Sequence, residues 1–259
     1  ATYTFTSSNV EIDSTTQFTI SLNAIDQINI EGLLNKNGTS SVGGTTYNIA
    51  AAADWNPAQS GNADTTGNGV TVSNVQTPSI SSTTYDASTG TLTVSGSNFV
   101  KASGAANDID VSLLTFTGDG STAYTLTDTS DVEITSASSF TVTLSSTDKA
   151  AISLLLNKNG GSSNDGTSYN LAAADDWNTV IGNTNIADTS NSITVSNVAP
   201  PAITSATYDI SSHILTVTGT GLIRKSGPSN DIDVAKLTLT GQGGATYTLT
   251  SASVEIDSA

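Results

Sequence analysis

The residues of this chain that are best suited to chemistry are two pairs of carboxylates. Asp108 and Asp110 stand in an Asn-Asp-Ile-Asp motif, and Asp231 and Asp233 stand in a second copy of it. In an extended segment the side chains of residues i and i+2 project to the same side, so each pair is expected to converge. Converging carboxylates repel unless a cation lies between them, and the chain has 23 acidic but only 7 basic residues. Calcium, which takes about six to eight oxygen ligands, suits such a site.

Four further aspartates are weaker candidates for the same ion. Asp54 and Asp176 each precede a Trp, and Asp86 and Asp209 each follow a Tyr. Asp and Asn in loops also cap turns through their own side chains. Turn capping is therefore the alternative for all of these carboxylates, and it is favoured for Asp54 and Asp176. A catalytic carboxylate pair is a third interpretation, but it needs two carboxylates in unlike surroundings, which a motif present in every copy does not offer.

The composition offers few side chains for other kinds of catalysis. The chain has no Cys, and its one His, His213, occupies a position where the other copy has Thr or Gly. Nucleophilic triads and zinc sites therefore lack their usual side chains, and we expect no enzyme. Trp55 and Trp177 occupy equivalent places. They are either core anchors, which is favoured, or platforms on which a sugar ring stacks.

These motifs recur because the chain is built from a long repeat. Tyr3, Tyr124 and Tyr247 follow one another at intervals of about 122 residues, and the two copies of LLNKNG have the same spacing. Solenoid repeats have periods of only about 20 to 50 residues. The period here has the size of a whole domain, so the sequence predicts a tandem array of domains.

The boundaries of the repeats follow from two strand-like runs that each lead into Pro, at 70–78 and 193–201. They divide the chain into the late part of one repeat (1–77), a complete repeat (78–199) and the early part of a further repeat (200–259). The first residues, ATYTFTSSNVEIDS, and the last, ATYTLTSASVEIDSA, are then the same stretch two repeats apart. Either the chain is a window on a longer array, or the two partial repeats complete each other between chains.

Alternation of apolar and polar residues predicts that each repeat consists mainly of strands. In the complete repeat they are expected at 79–85, 91–95, 109–117, 122–127, 131–135, 140–144, 168–173 and 193–195. The stretch 145–160 differs, because it starts on Ser, has apolar residues at helical spacing and ends on Asn-Gly, which predicts a short helix. The stretch 23–38 repeats this pattern. We therefore expect an all-β fold of tandem immunoglobulin-like β-sandwich domains, each with one short helix over an open edge or end.

The start of each repeat resembles an IPT/TIG-type immunoglobulin-like domain. The matching positions are Pro78, Ile80, Gly96 and Phe99, and then Pro201, Ile203, Gly219 and Leu222, where Leu replaces the usual aromatic residue. The helix and the Asn-rich part of the repeat lie outside this resemblance. The repeat as a whole resembles the long tandem repeats of giant bacterial surface and adhesin-like proteins. That resemblance implies secretion, extension from a cell surface and, often, bound calcium.

The chain is thus expected to be a structural region of an extracellular bacterial fibre, adhesin stalk or surface layer. Its expected partners are neighbouring repeats or identical chains, and calcium is expected to stiffen it. The alternative is a carbohydrate- or protein-binding adhesive module that gains strength through avidity. The formal net charge of -16 argues against nucleic-acid binding. No run of about 18 apolar residues occurs, so no membrane insertion is expected.

Overall fold

A computed structural model describes residues 1–181, 184–225 and 228–257. The strands are β1 (Ile12–Ser14), β2 (Gln17–Phe18), β3 (Ser79–Asp86), β4 (Thr91–Ser97), β5 (Leu114–Thr117), β6 (Ala123–Thr125), β7 (Ile134–Ser136), β8 (Ser139–Thr143), β9 (Asn170–Ala173), β10 (Asp188–Ser196), β11 (Ala202–Asp209), β12 (Ile214–Thr220), β13 (Thr238–Thr240) and β14 (Thr246–Thr248). The helices are α1 (Ala24–Leu33) and α2 (Ser146–Leu155). Across these described ranges, neither helix is long and apolar enough to cross a membrane.

The complete repeat forms an eight-stranded sheet in the order β6-β5-β9-β10-β3-β4-β8-β7. Neighbouring strands are antiparallel except β10 and β3, which run parallel. Strands from the late half of the repeat lie among those of the early half. β9 and β10 lie between β5 and β3, and β8 lies between β4 and β7. The sheet therefore depends on pairing between residues that are far apart in the chain.

The sheet curls around one apolar core. Leu114 and Phe116 from one end of the sheet belong to the same buried cluster as Phe140 and Val142 from the other end. Buried positions alternate with more exposed ones along β4, β5, β8, β9 and β10, as the sequence predicts, so one face of each of these strands is buried. The prediction of a mostly β chain with short helices is confirmed. A two-layer sandwich and a division into tandem domains stay predictions.

Helix α2 begins where the sequence predicts a helix. The hydroxyl of Ser145 caps it by accepting a hydrogen bond from the backbone N–H of Asp148 at 3.1 Å. Ile152 and Leu155 face inward and are buried in the core. The expected strand at 109–117 begins only at Leu114, because a short 3-10 turn precedes it.

The two partial repeats form the same local elements without the large sheet. β11 pairs with β12, β13 pairs with β14, and β1 pairs with β2, each as a separate two-stranded ladder. Isolated bridges join Asn48 to Gly69 and Ala51 to Asp64, where the complete repeat has β9 and β10. Residues 226–227 and 258–259 of the predicted third unit lie outside the described residues.

Candidate functional site: carboxylate anchors and the paired end strands

Asp108 and Asp110, the leading calcium candidates, direct their carboxylates to different partners. Asp108 is fully buried, and its oxygens accept hydrogen bonds from the backbone N–H groups of Ala102 at 2.5 Å and Ile134 at 2.8 Å. Burial raises the pKa of Asp108 even though both N–H donors act to lower it. Asp110 instead caps the 3-10 turn, accepting from the N–H and the hydroxyl of Ser112 at 3.0 Å and 2.6 Å. One carboxylate thus joins two loops, and the other caps a turn.

Asp231 and Asp233 repeat this arrangement in the second copy. Asp231 accepts hydrogen bonds from the backbone N–H groups of Lys225 and Ile256, the latter at 2.8 Å. Burial opposes the ionised form of Asp231, but those two N–H donors lower its pKa below the ordinary value. Asp233 accepts from the N–H of Ala235 at 3.2 Å and caps the next 3-10 turn. The pKa of Asp108 is raised whereas that of Asp231 is lowered, because Asp108 is fully buried and Asp231 is only partly buried.

Asp86 and Asp209 hold the tight turns that follow the first strand of each copy. Asp86 accepts from the N–H of Ser88 at 2.9 Å, and Asp209 accepts from the N–H of Ser211 at 2.7 Å. The hydroxyl and N–H of Ser211 lower the pKa of Asp209 to about 2. His213 lies in this second turn with φ 60°, as expected of a turn residue. These bonds are those of turn capping.

Asp54 and Asp176 lie in equivalent loops with left-handed backbone conformations. Asp54 accepts from the N–H of Gly61 at 3.1 Å. In the complete repeat the neighbouring Asp175 closes the loop instead, accepting from the N–H of Ile186 at 2.8 Å. Throughout the described part of the chain, His, Cys, Asp and Glu side chains do not gather in groups of three or more that could hold a metal ion. Calcium binding at the eight aspartates therefore stays a prediction.

Asp148, whose carboxylate accepts six hydrogen bonds, was not among the predicted site residues. It is fully buried, and its oxygens accept from the hydroxyl of Tyr124 at 2.7 Å, from the hydroxyl of Thr129 at 2.6 Å and from three backbone N–H groups of residues 127–129. Burial alone would raise the pKa of Asp148, but the hydroxyls of Thr129 and Tyr124 and these N–H groups outweigh it and hold the pKa well below its usual range. The anchor ties α2 to the loop after β6.

Asp26 makes the same anchor in helix α1. It accepts from the hydroxyl of Tyr3 at 2.8 Å and from the backbone N–H groups of Thr6 and Ser7. The signal was present in the sequence, since a Tyr precedes the first-turn Asp of the helix by about the same interval in both copies. Sequence reasoning missed it because a first-turn acid is also explained by helix capping alone.

The first and last strands of the complete repeat lie side by side. β3 and β10 are parallel, with Thr83 opposite Ile193 and Tyr85 opposite Val195. Since parallel neighbours run in the same direction, the chain enters the repeat at one end of this pair and leaves it at the other. A pull on the two ends of the repeat therefore slides these strands against each other and loads their hydrogen bonds together.

Side-chain hydrogen bonds fasten both ends of this β3–β10 pair. At one end, Asp188 accepts from the backbone N–H of Ile80 at 2.8 Å. At the other end, the side-chain amide of Asn197 donates to Asp86 at 2.8 Å. We call these two contacts the end clamps. The residues come from opposite ends of the sequence of the repeat, so the clamps exist only when the repeat is complete.

The exit from each repeat is held by an Asn of the NKNG segment. The side-chain oxygen of Asn159 accepts from the backbone N–H of Val198 at 2.9 Å, and that of Asn37 accepts from the N–H of Val75 at 3.0 Å. Both acceptors follow a helix, and both donors lie in the SNV segment just before the next repeat. The same short linkage thus occurs at both repeat boundaries.

Trp177 is a core residue, as favoured by the sequence. It is fully buried, it lies edge-on to Phe99 at 5.5 Å between ring centroids, and its Nε1–H donates to the carbonyl of Ile186 at 2.9 Å. A ring enclosed in this way cannot serve as an exposed platform for a sugar.

The arrangement described so far is that of a repeat protein whose polar groups hold loops and strand ends. A scan against protein-family models, a search of curated proteins and a search of solved structures find no match to this chain.

Proposed function

We propose that the chain is a structural, load-bearing repeat region of an extracellular bacterial fibre, adhesin stalk or surface layer. The observation that carries the proposal is the parallel pairing of β3 with β10. It lets each repeat pass force from its entry strand to its exit strand through several hydrogen bonds loaded at once. A linear array that spaces or extends something needs such a path.

Three further features support the proposal. The end clamps reinforce the β3–β10 pair. The Asn159 and Asn37 linkages restrict the motion of the segment that leads into the next repeat. The candidate aspartates accept hydrogen bonds from loop and turn residues. We further propose that the curled sheet is an immunoglobulin-like sandwich of the IPT/TIG type, as the resemblance at the start of each repeat implies.

Force spectroscopy on the 259-residue chain, attached through its two ends, tests the proposal. We expect the complete repeat to rupture in one event that releases roughly 400 Å of chain, as about 122 residues become extended. Because forced unfolding is governed by the unfolding rate, Asp188→Ala and Asn197→Ala should each lower the rupture force.

Asp165→Ala is the matched control, because Asp165 holds a turn through the N–H groups of Gly120 and Thr167, and neither donor belongs to β3 or β10. Its rupture force should stay at the wild-type value. Equal losses of force in all three variants, or the lack of a distinct rupture event, would argue against a load-bearing pair.

The proposal includes calcium binding at the aspartate pairs, and melting curves test it. A cation bound only by the folded form raises the melting midpoint by mass action. If calcium raises the midpoint and a chelator reverses the change, the folded chain binds calcium. An unchanged midpoint argues against an ion at the aspartate pairs.

A further inference from the structure

Helix α1 of the first partial repeat contacts the complete repeat along one of its faces. Ile28, Gly32 and Asn35 are spaced as i, i+4 and i+7, which places them on one side of the helix and of its C-terminal end. Ile28 is half-buried and packs against the core cluster of the complete repeat. The side-chain amide of Asn35 donates to the carbonyl of Val180 at 3.2 Å. We call Ile28, Gly32 and Asn35 the docking stripe.

Gly32, at the centre of the docking stripe, lets the helix approach the backbone of the complete repeat. A Cβ atom added to Gly32 would lie 1.8 Å from the carbonyl oxygen of Lys101 and 3.0 Å from its carbonyl carbon. Every other residue type carries a Cβ, so only Gly fits against this backbone without a shift. Gly is a poor helix former, and Gly32 lies within the helix. The close contact with Lys101 is therefore what Gly provides at this position.

The surface that receives the docking stripe is built by both halves of the complete repeat. The side chain of Asn178 is fully buried. Its oxygen accepts from the N–H of Val100 at 2.9 Å, and its nitrogen donates to the carbonyl of Val100 at 2.8 Å. Asn178 thereby joins the segment 99–101 of the early half to the segment 177–181 of the late half. A surface that is fixed in this way needs little further ordering when a helix docks on it.

Asn35 links two repeats with the two ends of its side-chain amide. Its oxygen accepts from the N–H of Val42 at 3.1 Å within its own repeat, and its nitrogen donates to Val180 of the next repeat. In the other copy, the oxygen of Asn157 accepts from the N–H of Asn164, also at 3.1 Å. The contact within the repeat is thus common to both copies, and the nitrogen is left to reach across the boundary.

The second boundary has a different residue at the centre of the stripe. The residue that corresponds to Gly32 is Leu154. A Leu side chain cannot fit where a Cβ atom alone would overlap the backbone. The corresponding segments still face each other there, because Asn157 and Ile223, the counterpart of Val100, line one groove of about 710 Å³. The two boundaries are therefore expected to differ in how closely the repeats approach each other.

We propose that helix α1 docks on the complete repeat to hold the two consecutive repeats in one fixed orientation, and that the residue at the Gly32 position decides whether a boundary is rigid. Gly gives a closed, rigid boundary, and Leu gives a wider and more mobile one. The docking adds a second restraint to the linkage between Asn37 and Val75. This role rests on the proposed structural function and deepens it, since an array of repeats can then vary its stiffness through one residue at each boundary.

Distance measurements between two spin labels across the boundary test the proposal. The chain has no Cys, so labels can be attached through Ile25→Cys in α1 and Thr84→Cys in β3, at two exposed positions. We expect one narrow distance distribution for the otherwise unchanged chain. Gly32→Ala should broaden it by at least about twofold in width, because docked and undocked orientations are then both populated.

Gly32→Ala separates docking from helix formation, because Ala is the best helix former. A broader distance distribution without a loss of helical circular dichroism therefore reports the loss of docking and not the loss of α1. Gly32→Leu introduces the residue of the other copy and should broaden the distribution further. Gly61→Leu is the matched control, since Gly61 lies in the same partial repeat and a Cβ atom there meets nothing within 4 Å. Its distribution should stay narrow.

Asn35→Asp tests the hydrogen bond across the boundary. The substitution keeps an oxygen that accepts from the N–H of Val42, and it replaces the donor nitrogen by an oxygen that faces the carbonyl of Val180. The distance distribution should therefore broaden. Asn157→Asp makes the same replacement in the other copy and should leave the first boundary unchanged.

A distribution in the otherwise unchanged chain that is as broad as that of Gly32→Ala overturns the docking. A narrow distribution that survives both Gly32→Leu and Asn35→Asp also overturns it. These outcomes are independent of the rupture force, which reports on β3 and β10 and should keep its wild-type value in Gly32→Ala. A broad distribution with a strong β3–β10 pair would remove the docking and keep the proposed function. A narrow distribution with a weak pair would do the reverse.

Discussion

The complete repeat and the two partial repeats have nearly the same sequence but differ in burial. Trp177 is enclosed by Phe99 and Phe140, whereas Trp55 in the same motif is half uncovered and contacts only Phe18 among ring neighbours in the described chain. Local features are alike in both. Caps, turns and hairpins thus form within each half-repeat, and the core forms only where early and late strands meet.

The carboxylate anchors are formed alike in the partial and the complete repeat. Asp26 and Asp148 accept the same kinds of hydrogen bond although one lies in a partial repeat and the other in the complete one. In each copy the donors lie in the segment about 20 residues before the helix aspartate, at Tyr3, Thr6 and Ser7 for Asp26 and at Tyr124 and residues 127–129 for Asp148. The anchor therefore forms within the late part of a repeat and holds this preceding segment against the helix.

The largest expected effect separates the two Trp residues. Trp177→Ala removes a fully buried ring and should lower the free energy of unfolding by about 4 kcal/mol, enough to unfold a marginal domain. Trp55→Ala in dilute solution should leave the same transition unchanged, because its ring is exposed. Urea denaturation followed by circular dichroism measures both. Equal losses would mean that the partial repeat shares the core of the complete one.

The next effect concerns the two carboxylate anchors. Asp148→Asn keeps the size of the side chain but replaces one acceptor oxygen by an NH2 group, which faces other hydrogen-bond donors. It should therefore lower the unfolding free energy of the complete repeat by about 3 kcal/mol. Asp26→Asn is the matched control and should spare that transition. If both variants lose the same amount, the anchors do not act within separate half-repeats.

The pH dependence follows from the same group. The pKa of Asp148 is lower in the folded than in the unfolded chain. Its contribution to stability is thus complete above about pH 4, the unfolded value, and is lost as the pH falls further. Thermal melting between pH 7 and pH 2 should show this loss, and Asp148→Asn should flatten the curve in the acid range.

The smallest effect concerns the linkage between repeats. Asn159→Ala removes the acceptor for the N–H of Val198 and should cost about 1 kcal/mol. Hydrogen exchange at the Val198 amide should become faster by roughly fivefold, the equivalent of that energy. Asn37→Ala should leave Val198 unchanged and speed exchange at Val75 instead. Unchanged exchange at both amides would show that the linkage is not held by these side chains.

Much of the local structure could be predicted from the sequence. Helix α2, its Ser145 cap and most strand positions follow from apolar spacing and from turn residues, because each rests on groups a few residues apart. The pairing of Asp108 with Asp110 was expected from i, i+2 geometry, but the chain turns at Asp110, so the two carboxylates serve different loops. The carboxylate of Asp148 was overlooked because its partners lie about 20 residues away.

The repeat and the alternation of apolar and polar residues along its strands can be read from the sequence alone, which also predicts the boundaries of the repeats. By contrast, the position of β9 and β10 between β5 and β3 and the parallel direction of β3 and β10 follow from the tertiary structure. Strand order depends on backbone pairing between segments that are far apart in the sequence. The local sequence does not select the partner, because any two β-rich segments offer the same backbone donors and acceptors. Burial of one shared core selects among those pairings, and that core is a property of the whole repeat.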